Sequence, residues 1–277
     1  MHWQTTRFRI DLGRPRVMGI VNLTPDSFAD SGDTLDARAA LARCEALLRD
    51  GADLLDLGAE SSRPGAQPVS VRYELERLEP VLAGALTLGC PISVDTVKAE
   101  VMRRALASGA DIVNDIQALR GEGALQVVRE HPGCGVCLMH MRGAPSSMQS
   151  RPMRADEAVA GVMAFLSERV QALRDAGVAS ERIVVDPGVG FGKSVPANLE
   201  LLRRQRELLA IGQPLLVGWS RKSTLGKVTG RPVGERQSAS VAAALAAVLA
   251  GASVLRVHDV AATVDALAVW RAAGLIA

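Results

Sequence analysis

Gly51-Ala52-Asp53-Leu54-Leu55-Asp56-Leu57-Gly58 reads as the end of a helix, a tight turn and a short buried strand. Upstream, Ala37, Ala40, Leu41, Cys44, Leu47 and Leu48 fall on one helical face, and Gly51 stops that helix where a left-handed cap favours glycine. The same join recurs as Gly109-Ala110-Asp111 before Ile112-Val113 and as Gly251-Ala252-Ser253 before the run Val254–Val257. A second amphipathic helix, carried by Val159, Val162, Met163, Leu166, Val170 and Leu173, stops at Gly177.

Outward from that unit, short apolar runs alternate with helix-length segments at Val17–Val21, Leu54–Leu57, Pro91–Val94, Ile112-Val113, Val136–Met139, Ile183–Val185, Leu215–Val217 and Val254–Val257. Strands apolar on both faces and joined by helices require a buried parallel sheet. Eight of them within 277 residues predict a closed (β/α)8 TIM barrel, an α/β fold with its active site at the C-terminal ends of the strands. One domain over residues 1–277 follows, since no linker interrupts the alternation; an open doubly wound sheet is the alternative.

Composition narrows the function. Hydrophobic residues make up 48% of the chain and charged ones 22%, enough for a large core. A net charge of +2, with one Tyr and four Phe, offers little to nucleic acid, so a small-molecule substrate is expected. Met1–Arg7 lacks the basic-then-apolar pattern of a secretory leader, and Val241–Leu249 is too short to span a membrane and reads as a buried helix. Of the cysteines Cys44, Cys90, Cys134 and Cys137, the one CxxC pair runs into an apolar strand and has no second pair for zinc; buried thiols in a reducing cytosol are expected.

In a barrel the residues just past each strand converge on one mouth. Here they are Asn22, Asp56, Asp95, Asn114-Asp115, His140, Asp186, Ser220-Arg221-Lys222, and Arg256 with His258. Asp, Asn and Ser at single positions are ordinary helix caps, but Arg and Lys are poor caps, and several charges around one mouth are costly to desolvate without partners. A ligand with a donor-rich edge and an anionic tail accounts for them together. His140 reads as a packing or hydrogen-bonding residue rather than a general base, His2 and His131 as solvent-facing, and Arg203, Arg204 and Arg206 as a solvated helix face.

Asp186-Pro187-Gly188-Val189-Gly190-Phe191-Gly192-Lys193-Ser194 ends like a phosphate-binding loop, yet Pro187 stands where the first glycine must be and has no N–H to offer. Its glycine spacing also misses the dinucleotide fingerprint.

Several segments resemble dihydropteroate synthases in sequence and order: Met18-Gly19-Ile20-Val21-Asn22-Leu23-Thr24-Pro25-Asp26-Ser27-Phe28, Asp56-Leu57-Gly58-Ala59-Glu60-Ser61-Ser62-Arg63-Pro64-Gly65-Ala66, Ser93-Val94-Asp95-Thr96, Asn114-Asp115-Ile116, Leu138-Met139-His140-Met141, Asp186 to Lys193, Ser220-Arg221-Lys222-Ser223 and Arg256-Val257-His258-Asp259. The likeness runs from Val17 to the C-terminus. It implies condensation of (7,8-dihydropterin-6-yl)methyl diphosphate with 4-aminobenzoate, releasing diphosphate and giving 7,8-dihydropteroate for folate synthesis by a dissociative mechanism. A corrinoid methyltransferase using a methylated folate on the same barrel is the nearest rival, and a non-catalytic pterin-binding protein a more distant one.

The resemblance implies roles by position. Ser62, Asp95, Asn114, Asp186, Lys222, Arg256 and His258 would bind the pterin diphosphate, with Asp95, Lys222, Arg256 and His258 taking part in catalysis. Phe28, Arg63, Pro64, Phe191, Lys222 and Ser223 would surround 4-aminobenzoate. Asn22 would hold Mg²⁺, the loops Thr24–Asp33 and Ser61–Ser70 would close as lids, and the protein would be a cytoplasmic homodimer and sulfonamide target. Two positions depart from the family's usual residues: Ser62 stands for threonine, and Trp219, bulky for its place, faces either the pocket or the helical shell.

Overall fold

A computed structural model describes residues 1–24 and 37–277. The barrel strands are β3 (Arg16–Asn22), β4 (Leu54–Gly58), β5 (Ile92–Asp95), β6 (Ile112–Asp115), β7 (Gly135–Met139), β8 (Ile183–Asp186), β9 (Leu215–Val217) and β10 (Ala252–Val257). All pair in parallel, and β10 closes on β3 with Arg256 beside Met18, which excludes the open sheet. The eight apolar runs coincide with these strands.

Helices return the chain between strands: α1 (Ala37–Arg49), α2 (Val71–Ala85), α3 (Ala99–Ser108), α4 (Ala124–Glu130), α5 (Ala155–Asp175) and α6 (Val195–Arg203). The β9–β10 crossover carries two, α7 (Ser223–Thr229) and α8 (Gln237–Leu249), and α9 (Val260–Ala272) ends the fold. Gly51 and Gly177 sit at φ +96° and +86°, the left-handed stops the sequence predicts. Helix α8 is buried on one side only, through Ala243, Ala244, Ala247 and Val248, while Leu249 is exposed; a contiguous apolar string cannot reveal which side faces out.

Ahead of the barrel stands a hairpin absent from the sequence reading, β1 (His2–Gln4) and β2 (Arg9–Asp11). Trp3, Ile10 and Leu12 from this segment pack under an interior layer of Met18, Leu54, Ile112, Cys137, Val184, Leu216 and Val254. The N-terminal end of the barrel is thereby sealed with apolar material, leaving the other end for chemistry. The Trp3 indole is fixed by a 3.0 Å hydrogen bond to the Arg182 carbonyl.

Candidate active site

Strand alternation delivers the polar groups. Two residues beyond the apolar interior layer, on the same face of each strand, come Asp56 after Leu54, Asn114 after Ile112, Asp186 after Val184 and Arg256 after Val254. Arg256 Nε donates to Asp56 at 2.6 Å and Nη2 to Asp95 at 2.9 Å, so one guanidinium serves two carboxylates. Asp56 also accepts from Ser93 Oγ at 2.6 Å and from Asn114 Nδ2 at 3.3 Å. Asp56 is thus fully engaged and fully buried, whereas the Asp95 side chain is 13% exposed.

These environments set the charges. Burial pushes Asp95 up to about 7, with Asp56 and Asp115 adding to the rise and Arg256 opposing it. Burial also raises Asp186, against the Gly188 N–H that it accepts at 2.7 Å and the charge of Lys222. Lys222 is brought down to about 8, by burial first and Arg256 second. Burial works against the Arg256 charge, but Asp56 and Asp95 outweigh it and raise its pKa.

Lys222 lies over the Phe191 ring, Nζ 4.1 Å from the centroid, a cation–π contact that joins β9's end to the loop after β8. Three glycines shape that loop. Gly188 at φ +68° lies so close to β7's end that a Cβ would stand 1.9 Å from the His140 carbonyl oxygen, and a Cβ on Gly190 would stand 3.2 Å from Lys222 Cδ. Arg221, just before Lys222, holds φ +59°, an unfavourable backbone for arginine. Its N–H donates to Ser240 Oγ, its carbonyl accepts from Arg236, and its guanidinium pairs with Asp259, so the turn that aims Lys222 is fixed from three sides.

His258 follows β10, at the place where barrels commonly bind phosphate groups. Its Nδ1 is 2.9 Å from Ser220 Oγ, which also accepts the His258 backbone N–H. Burial and then Arg256 push the imidazole down to about 3, so it is neutral. A Ser220 hydroxyl donating to Nδ1 leaves Nε2–H as a donor.

The remaining sequence-predicted residues are more dispersed. Asn22 ends β3, half-buried, paired in register with Gly58. Ser223 is exposed at the start of α7. Ser62, Arg63 and Pro64 lie on the loop after β4; among the described residues no hydrogen bond ties them to the Asp56–Arg256–Asp95 cluster, and Gly65 N–H instead bonds the Pro145 carbonyl across the mouth at 3.1 Å. Phe28 and most of the loop Thr24–Asp33 lie outside the described residues.

Sequence reasoning left four site residues without a role. Asp56 and Ser93 hold the guanidinium network, Ser220 holds His258, and Lys193 is turned into the protein; for Ser93 the signal was its position two residues before Asp95 on one strand face. Ser194 caps α6 through the Ala197 N–H and Lys193 bonds protein acceptors, so neither of the two residues that would complete a phosphate loop is left to hold a phosphate. His140 is a hydrogen-bonding and packing residue as expected, 5.0 Å edge-on from Phe165. His131 is half-buried, its Nδ1 enclosed without a partner among the described residues, which corrects the solvent-facing reading. All four cysteines are buried and free, and Trp219 is buried in the cluster between sheet and helices rather than in the pocket.

A closed barrel whose open mouth gathers two partly free carboxylates, two cations and an aromatic wall defines an enzyme for a small, polar, partly anionic substrate. Residues 18–258 match the family model described as pterin binding enzyme. The chain is 50% identical over 279 residues to the dihydropteroate synthase of Neisseria meningitidis serogroup B, covering 99% of this chain and 98% of that one. A Burkholderia cenocepacia dihydropteroate synthase complexed with 7,8-dihydropteroate superposes with a TM-score of 0.90 at 49% identity, covering 99% and 96% of the two chains. That of Yersinia pestis with a sulfonamide drug gives 0.92 at 40% identity and 99% coverage of both. The chain belongs to the pterin-binding enzyme family, among its dihydropteroate synthases, and the methyltransferase alternative is not favoured.

Proposed function

We propose that the barrel mouth joins (7,8-dihydropterin-6-yl)methyl diphosphate to 4-aminobenzoate with the residues above in distinct roles. Asp186 takes the amino and ring N–H donors of the pterin edge, since among the described residues only its Oδ1 accepts a side-chain hydrogen bond, from the Gly188 N–H. Asn114, Lys222 and Arg256 complete the pterin pocket. Ser62, Arg256 and His258 Nε2–H hold the diphosphate, and Phe28, Arg63, Pro64, Phe191, Lys222 and Ser223 enclose the arylamine.

In the reaction the methylene C–O bond breaks and its electron pair leaves with diphosphate. The cationic methylene is stabilised by the dihydropterin and by the Asp95 carboxylate nearby. The amine lone pair of 4-aminobenzoate forms the C–N bond, and the nitrogen releases a proton. The cations at the mouth oppose the charge building on the leaving group, and closure of the loop after β4 would keep water from the cation.

The single amide oxygen of Asn22 is a hard donor at the mouth. Such an oxygen fits Mg²⁺, which Asn22 would hold beside the place of the diphosphate. Bound there, Mg²⁺ supplies charge neutralisation of the leaving group. We also read the enzyme as a cytoplasmic homodimer; exposed Leu249 on α8 and Val269 on α9 support self-association, which light scattering tests.

The observation that carries the reading is the Arg256 guanidinium bridging Asp56 and Asp95 within a mouth also holding Asp186 and Lys222. Incubating the purified protein with both substrates and Mg²⁺ should yield dihydropteroate and diphosphate, and a sulfonamide should compete with 4-aminobenzoate. Absence of product with both substrates and metal present, or noncompetitive inhibition, refutes the assignment.

A further inference from the structure

Lys193 is 3% exposed, although a lysine at the end of a glycine loop ordinarily reaches into solvent or towards a ligand. Its Nζ donates to the carbonyl oxygens of Gly188 at 2.9 Å, Phe191 at 3.1 Å and His140 at 3.2 Å, and stands 2.8 Å from His140 Nδ1. His140, pushed down to about 3 by burial and then by Lys193, is neutral, so Nδ1 is available to accept. Burial brings Lys193 down to about 7, with Asp186 opposing and Lys222 adding to the fall, and in the protonated form its three protons face four protein acceptors. The group is a cross-link between the end of β7 and the loop after β8.

Burying an ammonium costs several kcal/mol that an apolar side chain of the same size would not. What the cost secures is visible in the loop. Asp186 also has a hold outside that turn: it ends β8, and its carbonyl accepts the His140 N–H at 2.9 Å, while its carboxylate accepts the Gly188 N–H at the near end of the turn. The Phe191 ring is not part of the strand, and its place depends on the turn whose two carbonyls, Gly188 and Phe191, both end on Lys193.

We propose that Lys193 is a positioning residue that sets the Phe191 ring relative to Asp186, and so controls how the arylamine is presented to the pterin methylene. The inference rests on the reading above, in which Asp186 binds pterin and Phe191 walls the arylamine. It predicts an asymmetry that a purely structural lysine would not produce, because loss of the tie moves one half of the site more than the other.

The test compares Lys193→Met, which keeps bulk but donates no hydrogen bond, with Asp186→Asn. Pterin diphosphate affinity is measured by calorimetry without arylamine, and KM for 4-aminobenzoate and kcat by product formation. Lys193→Met should raise the arylamine KM about tenfold while changing pterin affinity by no more than about threefold. Asp186→Asn should do the reverse, weakening pterin binding most. Parallel loss of both affinities in Lys193→Met, or a lower active fraction with unchanged KM, overturns the positioning role. If that variant does not fold, Lys193→Gln, which retains two amide donors, should give a weaker form of the same split; failure of both to fold assigns Lys193 to folding alone and also overturns it. Unchanged pterin affinity in Asp186→Asn places the error in the reading of Asp186 and not in Lys193.

Discussion

Arg256 and Asp56 are 200 residues apart in sequence and 2.6 Å apart in the barrel. The contact joins β10 to β4 across the strand that closes the ring, with the carboxylate out of solvent. Asp56→Ala leaves the guanidinium with Asp95 alone and strips Ser93 and Asn114 of their acceptor. Breaking a buried pair by removing one partner should cost about 3–5 kcal/mol. Urea denaturation measures it, and a loss within error of zero would mean that water replaces the carboxylate.

Lys222 and Asp186 present the opposite case. Burial makes both charges unfavourable in the free protein, lowering one pKa and raising the other, so neither is held for stability. Lys222→Met and Asp186→Asn should reduce kcat/KM about 10²-fold or more while leaving melting temperature unchanged or slightly raised. Near-normal turnover in both variants would remove the chemical role assigned to the mouth.

The pH dependence follows from the same groups. Asp95 becomes a carboxylate as pH rises through about 7, and Lys222 loses its proton as pH passes about 8. If both charged forms are needed, kcat/KM for pterin diphosphate should rise to neutrality and fall above about pH 8. Stability should move differently. The raised Asp95 contributes stability at acid pH that is lost as pH rises through about 7, and the lowered Lys222 contributes stability in alkali that is lost as pH falls through about 8. The free enzyme's working range is therefore where these two groups cost it most, and a flat rate profile between about pH 6 and pH 9 would refute their roles.

The strands and mouth were legible because a period of two is strict: each interior apolar residue predicts what stands above it, as Val184 does for Asp186 and Val254 for Arg256. The N-terminal hairpin was not, because β1 and β2 are three residues each and offer one buried apolar residue apiece, Trp3 and Ile10, too little to separate from a loop. Loop aim was harder still. Lys193 and Lys222 are both lysines beside glycines or serines, yet one is spent on carbonyls and the other lies over an aromatic ring. Only tertiary packing distinguishes them.

Trp219 was the residue whose direction the sequence left open, and its burial between sheet and helices makes a specific forecast. Its indole N–H has no partner among the described residues, so Trp219→Phe removes an unsatisfied donor along with some packing volume. The two effects oppose, and stability should change by no more than about 1 kcal/mol. Sulfonamide inhibition constants should be unchanged; a clear shift would place the ring against the pocket.

The loop glycines can be tested by separating backbone strain from steric contact. Gly177, Gly188 and Gly190 all have left-handed φ, of +86°, +68° and +84°, so alanine at any of them incurs about 1–2 kcal/mol of strain. At Gly177 an added methyl meets nothing within 4 Å, so strain is the whole effect and activity should survive. At Gly190 it meets Lys222 Cδ at 3.2 Å, a flexible chain that can shift; stability should match the Gly177→Ala control while activity falls with the displaced ammonium. At Gly188 it would stand 1.9 Å from a backbone oxygen held by β7, so the turn itself must move and carry the Gly188 N–H away from Asp186. Gly188→Ala should therefore lose more stability than either and nearly all pterin affinity, measured by thermal melting and calorimetry on the three variants together. Equal behaviour of all three would mean that φ alone, and not the packing of this loop against His140, explains the glycines.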